Sequence, residues 1–220
     1  MLPTWCNRYG QGIFNTLANS ITRDYISKVE IKYKNKQGHM DVGHAGVLYG
    51  LVNIYAPSKV IEIGSLYGRS TSIILDASPN STISCIDTFQ YSVDGKATVD
   101  DYFDKFSSNT KEYKDRIKVY KSLSFNIHDS FKDNSIDLLF IDGDHSYDGV
   151  YKDIIYYHSK LKPGGIILGH DYPHPMVERF NFNGLMHCVN GLVRDRPDIF
   201  IDFGYFGGLW GARYKGTPLN

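Results

Sequence analysis

The sequence has little that marks a secreted or membrane-bound protein. Its 3 cysteines, Cys6, Cys85 and Cys188, are odd in number and far apart, which argues against a disulfide framework or a structural zinc site. No apolar run approaches the length of a membrane span. The stretch Met1–Asn19 has no basic region followed by an apolar run, so we expect no signal peptide and a cytoplasmic location.

An excess of charge of one sign is also missing. The 24 Lys and Arg residues balance the 24 Asp and Glu residues, giving a formal net charge of +0. A protein that holds a phosphate backbone usually has a basic face. Here the basic clusters Lys28–Lys36 and Lys111–Lys121 are interrupted by acidic and apolar residues, and we interpret both as solvated surfaces. We therefore expect no nucleic-acid partner.

What the sequence does have is an alternation of strand and helix patterns. Short apolar runs flanked by turn residues are typical of strands buried on both faces of a sheet. The predicted strands are Lys59–Ile63, Ser81–Asp87, Arg116–Lys121, Ile136–Asp142, Gly164–Gly169, Ile199–Phe203 and Gly208–Tyr214. The predicted helices between them are Arg69–Ala77, Val99–Ser107, Ser122–Phe131, Ser146–Leu161 and Asn183–Arg194. This order predicts an α/β fold with a doubly wound, mostly parallel seven-stranded sheet.

The length of 220 residues suits one domain, residues 1–220. Residues 1–50 do not fit the alternation. We expect them to form an N-terminal helical cap beside the sheet, covering a site in the catalytic core of residues 51–220.

The turn after the first strand is the first candidate for a binding site. It reads Glu62-Ile-Gly64-Ser-Leu-Tyr-Gly68-Arg-Ser70. Gly64 can adopt the angles of a tight turn, and Gly68 lets the following helix start close to the strand. Asp87 ends the next strand, 23 residues after Gly64, where a carboxylate can accept the hydroxyls of an adenosine ribose. A plain structural turn and a helix cap are the alternatives.

The glycine spacing bears on the cofactor. A dinucleotide site needs three closely spaced glycines so that the backbone can approach a pyrophosphate, but position 66 is leucine. S-adenosylmethionine (SAM) carries no phosphate and needs acids near its positive groups, and Glu62 is placed for this. The spacing favours SAM over NAD.

Further motifs carry a family resemblance. They are Phe140-Ile-Asp-Gly-Asp-His-Ser-Tyr147, Leu161-Lys-Pro-Gly-Gly165, Gly169-His-Asp-Tyr172 and Met40-Asp-Val-Gly43. Together with the glycine turn and Asp87, they resemble the class I SAM-dependent methyltransferases. The branch they are most similar to is the small-molecule O-methyltransferases, which include catechol and sugar O-methyltransferases.

The resemblance implies a set of cofactor-binding residues. They are Val42, Gly43, Glu62, Gly64, Ser65, Gly68, Ser70, Asp87, Thr88, Ser122 and Asp142. Phe89 is a further candidate, which either stacks on the adenine or packs in the core.

The same resemblance implies a divalent metal, Mg²⁺ or Mn²⁺, held by Asp142, His170 and Asp171. The pair His170-Asp171 follows Asp142 by 28 and 29 residues. His170 departs from the family pattern, which has an oxygen ligand there. Magnesium prefers oxygen ligands and imidazole suits manganese, iron or zinc. Either the metal differs, or His170 acts as a base.

His145 lies three residues after Asp142, where related enzymes carry a basic residue beside the acceptor. We expect Asp142, His145 and His170 to be catalytic, with either histidine as general base. Asp144 is a third ligand or a helix cap. The alternative is that Asp142, Asp144 and His145 only form a hydrogen-bonded turn that supports the cofactor.

The leading hypothesis is therefore SAM-dependent methylation of a hydroxyl on a small acceptor, a sugar or a phenol. Small-molecule methyltransferases of this type are often dimers, so a homodimer is expected. Two alternatives stay open: a non-catalytic SAM- or nucleotide-binding partner subunit, and an NAD(P)-dependent oxidoreductase.

Overall fold

The computed structural model describes residues 23–33, 38, 40–90, 99–172, 183–206 and 208–219, and strands in these ranges form one seven-stranded sheet. The strands are β1 (Lys59–Ile63), β2 (Thr82–Asp87), β3 (Ile117–Lys121), β4 (Ile136–Ile141), β5 (Leu161–Gly169), β6 (Phe200–Phe206) and β7 (Leu209–Tyr214). Their order is β3-β2-β1-β4-β5-β7-β6. The first five are parallel, and β7 is antiparallel to both β5 and β6. The predicted doubly wound, mostly parallel sheet is confirmed.

Helices cover both faces of this sheet. They are α1 (Arg23–Tyr33), α2 (Val42–Tyr55), α3 (Arg69–Ala77), α4 (Val99–Thr110), α5 (Tyr147–Tyr157) and α6 (Asn183–Val189). Short 3-10 turns at Lys111–Arg116 and His158–Lys160 follow α4 and α5, and a π-turn at Asn190–Arg194 follows α6. Four of the five predicted helices are confirmed within a few residues.

The predicted helix Ser122–Phe131 is wrong. Two separate 3-10 turns, Ser124–Asn126 and His128–Ser130, occupy this stretch. Serine, asparagine and aspartate side chains hydrogen-bond to nearby backbone and so favour turns over helix interiors. The Ser122 hydroxyl, for example, donates to the Leu123 carbonyl at 3.1 Å.

Successive residues of the central strands bury their side chains in two different cores. Val60 and Leu138 pack with α1, α2, α3 and α4 on one face. Ile61 and Leu139 pack with α5 and α6 on the other. Burial on both faces explains why these strands are continuous apolar runs rather than alternating patterns.

Two helices, α1 and α2, occupy the described part of the region for which an N-terminal cap was predicted, and residues 1–22 of that prediction lie outside the described residues. Residue 50 lies inside α2, so the helical region continues to Tyr55. Asp76 on α3 anchors α1, because its carboxylate pairs with Lys32 Nζ at 2.6 Å and accepts a hydrogen bond from Tyr33. It also accepts one from Tyr113 at 2.6 Å.

Among the described helices, none has both the length and the apolar character that a membrane crossing requires.

Candidate active site

The glycine turn after β1 is packed directly against the end of β4. Gly64 has φ +88°, and a Cβ atom there would lie 2.1 Å from the Asp142 carbonyl oxygen. Gly68 has φ +75°, and its Cβ would lie 2.5 Å from Thr110 on α4. Both positions therefore require glycine, and the first one brings the turn and Asp142 to the same edge of the sheet.

Asp87, at the end of β2, is tied to this turn. Its carboxylate accepts the Leu66 N–H at 2.8 Å and the Phe89 N–H at 2.7 Å. Leu66 has φ +41°, so a non-glycine residue takes a left-handed conformation at the position where a dinucleotide motif has its middle glycine. Asp87 thus lies beside the turn, as the ribose hypothesis requires.

Glu62 lies beneath the turn and is fully buried. One carboxylate oxygen accepts hydrogen bonds from Ser65 at 2.9 Å and from Thr71. Burial raises the pKa of Glu62, although nearby hydroxyl groups, that of Ser70 first, oppose the shift. Its other oxygen has no hydrogen-bond partner among the described residues. Glu62 therefore organises the turn, and its contact with a cofactor stays a prediction.

The remaining predicted cofactor residues lie at the ends of β2 and β3 and at the start of α2. Ser122 donates its N–H to the Asp87 carbonyl at 3.1 Å, which brings the end of β3 beside the end of β2. Thr88 accepts a hydrogen bond from the Gln90 N–H at 3.3 Å. Val42 and Gly43 begin α2, where Asp41 caps the helix by accepting the Gly43 N–H at 2.7 Å. Their contacts with a cofactor also stay predictions.

Phe89 does not face an open site. It is fully buried, and its ring meets those of Phe103 and Phe106 edge to face, with centroids 5.2 and 5.3 Å away. Of the two roles weighed for Phe89, core packing is the one that the structure supports.

Beside the glycine turn, the ends of β4 and β5 bring two aspartates and two histidines together. His170 Nδ1 lies 3.3 Å from a carboxylate oxygen of Asp142 and 3.3 Å from one of Asp171. His145 Nε2 lies 3.4 Å from Asp171 and 3.7 Å from Asp142. We call these four residues the Asp-His cluster, and it contains the residues that the sequence nominated for catalysis or metal binding, apart from Asp144.

The charges in the cluster shift one another's pKa values. Burial lowers the pKa of His170, but the two carboxylates outweigh this effect, Asp142 first, and raise it to about 10. Burial also lowers the pKa of His145, but Asp142 outweighs this effect and raises the pKa. The pKa of Asp142 falls to about 2, because the two histidines outweigh burial. His170 is consequently protonated at neutral pH in the absence of a metal.

The donor atoms of Asp142, His170 and Asp171 all lie within 4.8 Å of one another, which suits a single cation. Asp171 has φ +60°, a left-handed conformation that aspartate tolerates better than most residues. Asp144 is not part of this group. Its carboxylate accepts the N–H and hydroxyl of Ser146 at 2.9 Å, so it acts at the start of α5.

Sequence reasoning assigned no specific role to His44. Its Nδ1 lies 3.0 Å from His170 Nε2, across 126 residues of sequence. The signal that could have found it is a lone imidazole in the otherwise apolar first turns of α2.

Residues 61–172, about half of the chain, match the family model of a methyltransferase domain. The chain belongs to this methyltransferase family. The matched range includes the glycine turn, Asp87 and the Asp-His cluster, but not His44 or the other residues of α2. This membership and the fold confirm the resemblance to class I SAM-dependent methyltransferases.

Two curated relatives of this methyltransferase are uncharacterised proteins. One, R132 of Acanthamoeba polyphaga mimivirus, is 32% identical over 159 residues, covering 69% of this chain and 67% of that protein. The other, y4gI of Sinorhizobium fredii, is 25% identical over 169 residues, covering 73% of this chain. The chain spans only 18% of the length of y4gI.

Solved structures share the fold at low identity. An O-methyltransferase from Bacillus cereus in complex with SAH aligns with TM-score 0.61 and 18% identity, covering 92% of this chain and 97% of that one. The SAH-bound methyltransferase PaMTH1 of Podospora anserina aligns with TM-score 0.60 and 17% identity, covering 96% and 92%. The O-methyltransferase TomG of Streptomyces achromogenes, in complex with SAM, aligns with TM-score 0.59 and 14% identity, covering 88% and 90%.

Proposed function

We propose that this methyltransferase transfers the methyl group of SAM to a hydroxyl oxygen of a small acceptor, a sugar or a phenol. One observation carries the proposal. Gly64 packs against the backbone of Asp142, so the predicted cofactor turn and the Asp-His cluster adjoin at the carboxyl edge of the sheet. Ligands of open α/β sheets bind at this edge.

The residues at the turn fit SAM better than a dinucleotide. The Leu66 N–H is already bonded to Asp87, and a side chain stands where a pyrophosphate needs a close approach of the backbone. The position of Asp87 beside the turn supports a contact with the ribose hydroxyls, and the buried carboxyl of Glu62 beneath the turn would offer an acceptor to a positive group. When bound, SAM supplies a methyl group activated by its sulfonium.

The acceptor hydroxyl must lose its proton to become a good nucleophile. His170 is protonated at neutral pH and cannot take this proton in the metal-free protein. His145 is the better base, because 25% of its side chain is exposed, against 6% for His170. Asp142 and Asp171 stabilise the imidazolium that forms when His145 accepts the proton.

A divalent cation fits the same residues. Asp142, His170 and Asp171 would hold it, with two carboxylates and one imidazole as donors. This donor set suits Mn²⁺ better than Mg²⁺, which prefers oxygen alone. When bound, a cation lowers the pKa of an acceptor hydroxyl. The cluster also argues against a non-catalytic SAM binder, which has no need of it.

Calorimetric titration tests the cofactor. We expect wild-type protein to bind SAM and not NAD, and Asp87→Asn to lose most of the affinity for SAM. Asp198→Asn is the matched control, because Asp198 precedes β6, which lies far from β2 in the strand order, and pairs only with Arg196 among the described residues. Equal affinity of the Asp87→Asn and Asp198→Asn variants for SAM would exclude the proposed ribose site.

Transfer of a labelled methyl group to a panel of catechols and sugars tests the reaction, with Mg²⁺, Mn²⁺ or a chelator present. We expect His145→Ala to lower kcat by roughly 10²–10⁴-fold, the usual contribution of a general base. Product formation that is unchanged in this variant would rule out His145 as the base. SAM binding without transfer to any hydroxyl would favour the partner-subunit alternative.

A further inference from the structure

His170 presents its two ring nitrogens to different partners. Nδ1 faces the carboxylates of Asp142 and Asp171, each at 3.3 Å. Nε2 faces Nδ1 of His44 at 3.0 Å. Carboxylates only accept hydrogen bonds, so Nδ1 carries a proton until a cation replaces it. Once Nδ1 binds a cation, the ring keeps one proton, on Nε2, and that proton needs an acceptor.

His44 is placed to be this acceptor. The two rings meet edge to face with their centroids 5.1 Å apart, which directs one ring nitrogen at the other. His44 can accept at Nδ1 only when its own proton is on Nε2. Histidines that bind metals almost always donate their second N–H to a fixed partner, which sets the tautomer and the ring orientation.

The surroundings hold the His44 ring in place. A Cβ atom at Gly208 would lie 2.4 Å from the ring, so Gly208, the residue before β7, packs directly on it. The Gly208 carbonyl also accepts the N–H of Tyr172, two residues after His170, at 3.1 Å. On the other side, the Asp41 cap fixes the start of α2. The His44 ring is therefore packed between its own helix, Gly208 and the ring of His170.

We infer that His44 is a positioning residue, which accepts the Nε2 proton of His170 and thereby holds Nδ1 ready to bind a divalent cation with Asp142 and Asp171. This inference rests on the proposed function, whose metal-binding residues it completes. It makes the N-terminal helix α2 part of the catalytic centre, although α2 lies outside the matched methyltransferase range.

Two substitutions separate the hydrogen bond from packing. His44→Phe keeps an aromatic ring without an acceptor, whereas His44→Asn keeps an acceptor atom on Cγ, where histidine has Nδ1. His128→Phe is the matched control, because His128 lies in a 3-10 turn after β3 and its ring also contacts an aromatic ring, that of Tyr156. Thermal melts first establish that each variant is folded.

The first readout is Co²⁺ binding, followed by visible absorption. We expect His44→Phe to weaken Co²⁺ binding about 10–100-fold, as losses of such supporting partners usually do, and His44→Asn to restore most of it. The second readout is the His170 Nε2–H signal in a ¹H–¹⁵N imidazole spectrum of Zn²⁺-loaded protein. It should be protected from exchange in wild type and in His44→Asn, and lost in His44→Phe.

Wild-type Co²⁺ affinity and a protected His170 signal in His44→Phe would overturn the inference. So would equal losses in the Phe and Asn variants, which would indicate packing alone. A wild-type protein that binds SAM but no Co²⁺ would overturn the inference and leave the methyltransferase proposal standing. Failure of the wild type to bind SAM would instead count against the proposed function.

Discussion

Gly64 and Gly164 share a left-handed backbone conformation, with φ +88° and +84°, but differ in what surrounds them. A Cβ atom at Gly64 would lie 2.1 Å from the Asp142 carbonyl oxygen, whereas one at Gly164 would meet nothing within 4 Å. Gly164→Ala should lower the free energy of unfolding by about 1–2 kcal/mol, because only the left-handed backbone conformation opposes alanine there. Gly64→Ala should lower it by roughly 1–3 kcal/mol more, because the new Cβ atom also overpacks against Asp142.

Urea unfolding of the two variants measures this difference, and SAM titration measures its effect on the site. We expect only Gly64→Ala to weaken SAM binding. Equal destabilisation by the two substitutions would mean that the contact between the glycine turn and Asp142 does not constrain the fold.

Asp153 on α5 predicts how stability depends on pH. Burial raises the pKa of its carboxyl to about 7, against a hydrogen bond from Ser124 that lowers it. Between about pH 4 and 7, the folded protein holds a proton that the unfolded chain has lost, so this residue makes stability fall as pH rises. Asp153→Asn should remove this pH dependence. The free energy of unfolding of the variant, relative to that of wild type, should therefore rise with pH across this window by at most about 1.4 kcal/mol per pH unit.

Urea unfolding at several pH values gives the difference curve between wild type and Asp153→Asn. Ser124→Ala serves as a comparison, because losing the hydroxyl should raise the pKa of Asp153 in the folded protein and extend the upper end of the window to higher pH. A difference curve that does not change between pH 4 and 7 would contradict the assignment.

At this scale, residues tied to a motif could be predicted and residues tied to a tertiary contact could not. The family resemblance nominated Asp142, His170 and Asp171, and they lie together because they follow β4 and β5, whose ends meet at one edge of the sheet. His44 was assigned no specific role because its contact with His170 depends on how α2 docks, which no sequence spacing records. The burial of Phe89 depends likewise on packing against α4.

At the scale of elements, α2 ends in a strained conformation. Ala56 caps the helix with φ 49° and ψ 55°, a left-handed conformation in which glycine is the usual residue at the end of a helix. Ala56→Gly should raise the free energy of unfolding by about 1–2 kcal/mol, because it relieves this strain. It should also lower the free energy of unfolding by roughly 0.5–1 kcal/mol, because glycine gives the unfolded chain more conformational freedom. We therefore expect a net gain in stability, measured by urea unfolding.

Ala77→Gly provides the contrast. Ala77 is buried and ends α3 with a helical backbone, so glycine there should destabilise the protein by about 1 kcal/mol. The same chemical change should thus have opposite signs at the ends of two neighbouring helices. A loss of stability in both variants would show that Ala56 is not strained.

Elements buried on both faces were predictable, whereas the connection between β3 and β4 was not. Lys59–Ile63 and Arg69–Ala77 were predicted with their observed bounds, because strong apolar patterns end there at turn residues. In Ser122–Phe131 an apolar spacing coincides with serine, asparagine and aspartate, whose local hydrogen bonds favour two short 3-10 turns over a continuous helix. Hydrophobic period alone does not resolve that competition.

At the scale of the whole molecule, the ends of four strands of one sheet build the candidate site. The turn after β1 and the ends of β2, β4 and β5 come together only when the parallel strands are in register. The two cores share that sheet, so loss of register removes both cores and the site. The expected homodimer stays a prediction, which light scattering of the purified protein would test.

Because the candidate site exists only in the folded sheet, SAM should protect the protein against heat unfolding. A ligand that binds only the folded chain stabilises it by about 2.7 kcal/mol when its concentration is 100 times Kd. For a chain of this size, each kcal/mol raises Tm by about 2–4 °C, so SAM at that excess should raise Tm by roughly 5–10 °C. Differential scanning calorimetry with SAM, with NAD and without ligand measures the shift. Asp87→Asn should show a much smaller shift with SAM, and Asp198→Asn the full one. An equal shift with NAD would reopen the oxidoreductase alternative, and no shift with SAM in wild type would mean that the folded sheet does not build the proposed cofactor site.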